Sequence, residues 1–550
     1  MSPAGRPGRL ALVLHHHLPY VRHPEYEDFM EEDWLYQAVA ETYLPLLEVF
    51  ERLRADGVPT RVTISLTPPL VSMLDDPLLR DRTERHLTRL LRLAEAEIHR
   101  TRGDDARQRL AHYYRDHLGA MRERYLHAYG RDLVGRYRDL QDSGQLEIVT
   151  CCATHGFLPL MNGHEPAMRA QVAVAVEHYR ERFGRRPRGI WLAECGYQPG
   201  VERLLADQGV EYFFVDTHGL AFAEPRPRYG VFAPVLTDSG VAAFGRDLET
   251  SHQVWSADAG YPGDPVYREF YRDLGWDLDL DYLKPFLGAH GFRKYLGLKY
   301  HRVTGKVALH EKELYDPWAA REKADEHAGN FLFNRERQIE DLAGRMERPP
   351  VIVAPYDAEL FGHWWYEGPR FLESFIRKVA YDTRAFSLVS PGDVLDEQPV
   401  NQRATPSFSS WGYKGYCEFW LNGTNDWIYR HLHQAQERMT QLADAEGGGD
   451  PRRERVLQQA ARELLLAQSS DWAFIMKTGT VVEYAEKRTK EHLHRFAELT
   501  RMLDGGGVDE GRLADLEGRD NIFPAIDWRH WRSRSGEVLA AGVVRTPTSA

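Results

Sequence analysis

"QLEIVTCCA" (145–153), "PAMRAQVAVAVEHYRERFG" (166–184) and "RGIWLAE" (188–194) follow one another with short joins. The first is a short apolar, β-branched run. The second carries apolar residues at helical spacing and stops at Gly184. The third is again strand-like and ends on an acid, Glu194. Strand, helix and strand in that order make a βαβ unit, which places its strands in parallel. The rhythm extends both ways. "LALVL" (10–14) runs into His15, His16 and His17, then comes the helical pattern 38–57 and the strand-like "TRVTISLTPPL" (60–70). "GVERLLADQG" (200–209), "EYFFVD" (211–216), "PPVIVAPYDAE" (349–359) and "GPRFLESFIRKVAYD" (368–382) continue it.

So many repeats fit a parallel α/β barrel, whose chemistry lies at the carboxyl ends of its strands. The candidate strand ends carry His15 and His17, His155, Glu194, Asp216 with His218, and Asp357. Residues 77–144 break the rhythm with long, charged helical patterns and no strand, so they read as an insertion. The barrel is therefore expected over 1–76 and 145–400, and a C-terminal helical domain over 401–550, with a flexible link at Gly447–Gly449.

Composition narrows the function. A net charge of −12 argues against nucleic-acid or anionic-membrane partners. The four cysteines have no paired metal-ligand spacing, and a reducing, cytoplasmic setting is expected. "LALVL" falls short of the roughly 7–15 apolar residues of a signal peptide, and no run reaches the ~18 of a membrane span. The 13 Trp and 27 Tyr lean towards sugar, because indoles and phenols stack on sugar faces as readily as they fill cores.

Glu194 and Asp357 each follow an apolar run at a strand exit. A closed barrel brings such ends together. Two carboxyls facing one cavity are what glycoside chemistry uses, one attacking the anomeric carbon and the other protonating the leaving oxygen. Phe361, Trp364 and Trp365 would raise the acid's pKa by excluding water. The plainer alternative pairs each acid with a buried arginine. His15 and His17 alternate and so share a face. They could bind metal with His155 or Asp216, bond sugar hydroxyls, or sit satisfied in the core. Arg246 and Asp247 could reach the cavity or form a surface pair. Trp411 and Trp420, in the Gly-rich "SSWGYKGYCEFW" (409–420), could be stacking platforms or core.

"LHHHLPYV", "EIVTCCATHGFLPL", "WLAECGY", "APYDAELFGHWW" and "SSDWAFIMKTGTVVEYAEKR" resemble, in order, the five signature regions of glycoside hydrolase family 57. The similarity runs from about residue 9 to about 530, and the layout resembles that family's branching enzymes. The resemblance implies a distorted (β/α)7 barrel with a helical insertion and an all-helical C-terminal domain. It implies Glu194 as nucleophile and Asp357 as general acid/base. His15, His17, His155, Asp216, Arg246 and Asp471 would line the sugar site, and "EPRPRYGVF" (224–232) would carry a mobile tyrosine, Tyr229, over the cleft. Trp255, Trp411 and Trp420 would guide an α-glucan such as amylose, amylopectin or glycogen. No metal or cofactor is implied, and a monomer is expected. His16 stands where the family often has a small residue, with its side chain expected to point away from the cavity. The implied activity is transfer of α-1,4 chains to α-1,6 branches. An α-amylase or 4-α-glucanotransferase, a metal-dependent polysaccharide deacetylase, and a non-catalytic glucan-binding protein are the competing readings.

Overall fold

The computed structural model describes residues 6–161, 163–256 and 260–534. Ten strands form one sheet among them: β1 (Gly8–His16), β2 (Val62–Leu66), β3 (Leu146–Cys151), β4 (Gly189–Trp191), β5 (Tyr212–Val215), β6 (Val235–Leu236), β7 (Ala242–Gly245), β8 (Val351–Asp357), β9 (Phe386–Leu388) and β10 (Gln402–Arg403). Their order is β10-β6-β7-β5-β4-β3-β2-β1-β8, with β9 beside β1. The run from β7 through β5, β4, β3, β2 and β1 to β8 is parallel throughout. Those seven strands make the distorted (β/α)7 barrel.

The distortion is visible where the ring should close. β7 and β8 share no ladder. The Asp247 amide, just past β7, donates to the Val353 carbonyl across 2.9 Å, and the Val351 amide donates to the Phe232 carbonyl across 2.9 Å. The sheet curls on itself without a continuous seam. Every residue of β1, β2 and β3 is buried, as expected of strands covered on both faces, which explains why they are mostly apolar. The helix Glu165–Phe183 packs its alanines and valines against this sheet and ends on Gly184 at φ +68°, a left-handed cap that glycine adopts without steric cost.

The stretch between β2 and β3 is helical as read from the sequence. Its helices Pro77–Arg100, Asp105–Glu123 and Leu133–Asp142 are each started by an aspartate, Asp76, Asp104 and Asp132, whose side chain accepts from a first-turn amide. A second long excursion, between β7 and β8, was not separated from the barrel in the sequence. It contains irregular chain and the 27-residue helix Pro317–Ala343.

After residue 401 the chain is not at once helical. Thr405 pairs with Glu224, Ser407 donates to the Gly219 carbonyl, Ser409 pairs with Tyr197, and the Trp411 amide donates to the Glu194 carbonyl. This segment therefore lies along the barrel's carboxyl-end loops. Helices follow over Trp427–Ala445, Pro451–Ala467, Ser470–Thr478, Val482–Arg501 and Glu510–Arg519. Among the described residues no helix is long and apolar enough to cross a membrane.

Candidate active site

β1 delivers the histidines. His15 is in register with Ser65 on one side and with Asp357 on the other. Alternation turns His15 and His17 to the cavity and His16 the opposite way, where it is buried and stacks on Tyr43 at 5.4 Å. His15 Nδ1 contacts Ser65 Oγ at 3.0 Å and its Nε2 contacts His155 Nε2 at 3.1 Å. His17 Nδ1 meets Thr67 Oγ1 at 3.1 Å, and its Nε2 lies 3.0 Å from Asp471 Oδ1. The His17 and His155 rings stack at 3.7 Å, and His15 lies over Trp191 at 4.9 Å. Burial and the neighbouring imidazoles hold His15 and His155 well below the usual histidine range, so both are neutral. Burial alone would lower His17 too, but Asp471 reverses the shift and raises it.

Glu194 follows β4 in the left-handed region, at φ +60°, and Cys195 follows at +51°. Side chains with a Cβ adopt this conformation at a cost, and the surroundings must hold it. Here they do so with directed donors. The Trp411 indole donates to Glu194 Oε2 across 2.8 Å, and the Ser470 hydroxyl to Oε1 across 3.2 Å. Ser470 Oγ also lies 2.9 Å from His155 Nδ1, which is itself 3.8 Å from Glu194 Oε1. Asp357 ends β8. Burial, with help from Asp471 and Asp357 and against the Trp411 donor, pushes Glu194 up to about 7. Burial and then the Glu359 carboxylate push Asp357 up to about 7, against His17 and Arg246. Each acid thus sits in water-poor surroundings, and Asp357 is close enough to Glu194 to act on its charge.

The remaining residues named from the sequence divide. Asp216 accepts from the Thr217 amide at 2.7 Å and lies 3.7 Å from His218. Arg246 lays its guanidinium over the Trp411 ring at 5.5 Å and donates to Ser251 at 2.7 Å. Both stand at strand ends bordering the acids. Asp247 does not: it is buried as the cap of the helix Leu248–Trp255. Trp255 ends that helix, 38% exposed. Trp420 corrects the platform reading. Its ring is 1% exposed and stacks on Phe157 at 4.5 Å, so it is core. Trp364 is exposed and stacks on Phe270 at 4.2 Å, while Phe361 and Trp365 are buried, the latter against Phe371. Tyr229 is a second correction. Its neighbours are Arg228 and Arg348, and its segment is tied to Glu347, Gln402 and Val351, the residue that opens β8. Val351 opens β8 at the end of the strand opposite Asp357, so these contacts tie the segment to that end.

Three contributors escaped the sequence reading, Ser470, Trp411 as a donor to Glu194, and Tyr43, while Glu359 is legible there as an acid that, with His363, could orient the segment after Asp357. Glu359 accepts from the Tyr43 hydroxyl and from the His17 amide.

A metal is the remaining question for the imidazoles. His17, His155 and Asp471 bring donor atoms within 4.8 Å of one another. The two rings, however, are stacked 13° from parallel, so their in-plane lone pairs run side by side and do not converge on an ion. Both His155 nitrogens are already engaged, by Ser470 and His15. The set suits hydrogen bonding to hydroxyls better than coordination.

The chain is similar to known proteins along most of its length. The profile for glycosyl hydrolase family 57 matches residues 11–409, and that for the C-terminal region of 1,4-alpha-glucan branching enzymes matches 431–531. A 1,4-alpha-glucan branching enzyme of Thermococcus kodakarensis is 36% identical over 94% of this chain and 78% of its own length. A probable 1,4-alpha-glucan branching enzyme of Mycobacterium tuberculosis is 32% identical, covering 95% and 98%. Among solved structures, an alpha-amylase from Thermotoga maritima superposes with a TM-score of 0.90 at 47% identity, covering 96% of this chain and 99% of that one. The branching enzyme of Thermococcus kodakaraensis, solved with glucose, gives 0.86 at 35%, covering 96% and 97%. With most of its length matched by the profile and its acids and imidazoles gathered at one end of a seven-stranded parallel barrel, the chain belongs to glycosyl hydrolase family 57.

Proposed function

We propose that the protein is a 1,4-alpha-glucan branching enzyme that works with retention through a covalent glycosyl-enzyme. The observation that carries the reading is the unequal preparation of two neighbouring acids. Glu194 receives an N–H and an O–H, which favour its anion. Asp357 faces the Glu359 carboxylate, which favours its protonated form. Burial raises both acids to about 7, and the two directed donors on Glu194 are what single it out as the nucleophile in this reading.

In the first half-reaction a Glu194 oxygen attacks C1 of an α-1,4-linked glucosyl unit. The C1–O4 bond breaks, and the Asp357 proton goes to O4. In the second, Asp357 takes the proton of an incoming 6-hydroxyl, whose oxygen replaces Glu194 at C1. Two inversions restore the α configuration. The neutral imidazoles of His15 and His155, the His17–Asp471 pair, Asp216 and Arg246 are the hydroxyl partners in this reading. Trp411 and Trp255 are its stacking rings. The barrel over 1–76 and 145–400, the insertion over 77–144 and the helical region after 401 are proposed as its domains, the last supplying Trp411, Ser470 and Asp471 to the cavity. A glycogen-like product and a cytoplasmic location complete the proposal.

Hydrolysis is the second reading, favoured by the 47% identity to a structure described as an alpha-amylase. The two activities share the first half-reaction and differ in the acceptor. Each tenfold preference for a sugar hydroxyl over water takes only about 1.4 kcal/mol. Incubation with amylose decides between them. New α-1,6 linkages by NMR in excess of new reducing ends support branching, and reducing ends without α-1,6 linkages overturn it.

A further inference from the structure

The long excursion between β7 and β8 sorts its large side chains by type. Leu274, Leu283, Leu287, Leu296 and Leu298 are buried, while Tyr271 is 57% exposed, Trp276 52% and Tyr295 37%. These rings form a row. Trp276 meets Tyr295 edge-on at 6.0 Å, Tyr295 lies 6.3 Å from Phe270, and Phe270 stacks on Trp364, itself 51% exposed, at 4.2 Å. Tyr271 stands edge-on to Phe270 at 5.1 Å. The scaffold beneath the row is fixed. The buried Asp273 carboxyl accepts from the Gly275 amide at 2.7 Å, the Leu296 amide at 3.0 Å and the Gly297 amide at 2.8 Å, so the turns bearing Trp276 and Tyr295 share one anchor. Gly275 has no room for a Cβ, which would meet the Lys294 carbonyl. Lys299 Nζ lies over the Phe270 ring at 4.1 Å. The row is also continuous with the catalytic face. The Trp364 amide donates to the Glu359 carbonyl across 3.1 Å. Its backbone therefore stands within about 15 Å of that of Asp357. Arg268, two residues before Phe270, donates to Glu41, which also accepts from His363, so the two ring-bearing segments are tied to one side chain.

We propose that this row of rings is an accessory binding site for an α-glucan chain, holding the part of the chain that runs past the cleft on the Asp357 side. The inference rests on the α-glucan reading of the active site. Exposed rings forgo the stability that burial would give them, and their anchored backbone keeps them from folding inward. The C–H faces of a sugar pack on aromatic faces while its hydroxyls stay in water. A row of rings without exposed leucines suits such a polymer. The polymer is uncharged, so the chain's net charge of −12 does not oppose it. A long glucan that reaches both the cleft and the row gains from both contacts, because the second forms within a chain already bound. A short oligosaccharide that fills the cleft gains only the first.

The test uses the full chain and reads glycogen affinity by affinity electrophoresis, with kcat/KM on amylose and on maltotetraose measured alongside. Trp276→Ala is expected to weaken glycogen affinity about three- to tenfold and to lower the amylose-to-maltotetraose ratio of kcat/KM in the same direction. Trp276→Phe, which keeps a ring, is expected to recover most of the affinity. A glycogen affinity within about 1.5-fold of wild type in a folded Trp276→Ala overturns the proposal. If Trp276→Ala does not fold, Tyr271→Ala is read by the same criterion. Sedimentation velocity tests the other occupant, a second copy of the chain. A wild-type dimer that Trp276→Ala splits, with glycogen affinity unmoved, makes the row a contact between copies and overturns the proposal. A wild type that neither binds glycogen nor cleaves amylose fells the α-glucan reading itself, whereas a wild type that does both beside an unmoved Trp276→Ala fells only the accessory site.

Discussion

Trp411 grips Glu194 twice, by an indole N–H to the carboxylate across 2.8 Å and by its own amide to the Glu194 carbonyl across 2.9 Å. A segment that follows β10 thus holds the backbone and the carboxylate of an acid that follows β4. Hydrogen bonds to an ion are worth about 1.5–3 kcal/mol. Trp411→Phe keeps a ring and removes the side-chain donor. We expect kcat/KM to fall about 10- to 100-fold and the acid limb of its pH profile to move up, since the Glu194 anion loses support. A profile unmoved on the acid side would show that the indole acts by stacking alone.

Glu194 and Asp357 are both pushed up to about 7. Under the proposed mechanism, cleavage needs the first ionised and the second protonated. The kcat/KM profile should therefore be a narrow bell about neutrality, falling at low pH as Glu194 gains a proton and at high pH as Asp357 loses one. Glu194→Gln should lose at least about 10³-fold in turnover while retaining glucan affinity, measured by affinity electrophoresis. Binding with no turnover in the wild type would instead support a binding module.

Asp471 joins the helical region to the barrel through His17, and that pairing outweighs burial to hold its carboxyl down at about 2. A depressed carboxyl contributes stability above its unfolded pKa of about 4 and loses it as pH falls towards 2. The contribution is about 2 kcal/mol. Asp471→Asn should lower the urea midpoint at neutral pH and flatten the fall in stability between about pH 4 and about pH 2. An equally steep fall in the variant would place the acid sensitivity elsewhere.

Trp420 and Trp255 should separate in their effects. Trp420 is enclosed against Phe157 and its truncation to alanine is expected to cost about 3–5 kcal/mol of stability. Trp255→Ala should leave the melting temperature nearly unchanged and raise KM for long glucans. The reverse pattern would make Trp420 the platform and Trp255 a structural ring.

Local pattern carried much of this molecule. The apolar runs before Glu194 and Asp357 are legible as strands because a strand buried on both faces is apolar at nearly every position. The alternation of His15 and His17, with His16 turned to the opposite face, follows from the two-residue period of the same strand type. The break in rhythm after residue 76 is legible because charged helical periodicity differs from a short apolar run. Five ordered motifs brought the family with them.

What one position could not disclose was its partner. Trp411 and Trp420 lie in one Gly-rich segment with similar neighbours, yet one bonds Glu194 and the other packs on Phe157. Tyr229 sits in a plausible loop, but the path from Arg228 to Glu347 carries it to the far end of β8. Ser470 reaches Glu194 from 276 positions away, and Tyr43 reaches Glu359 from 316. The sequence by itself determined which residue types stand at the strand ends, because backbone period and burial are short-range constraints. Which donors and charges surround each carboxyl was decided by the tertiary structure alone, because a donor or a charge acts on a carboxyl through space, from whatever segment packing brings beside it.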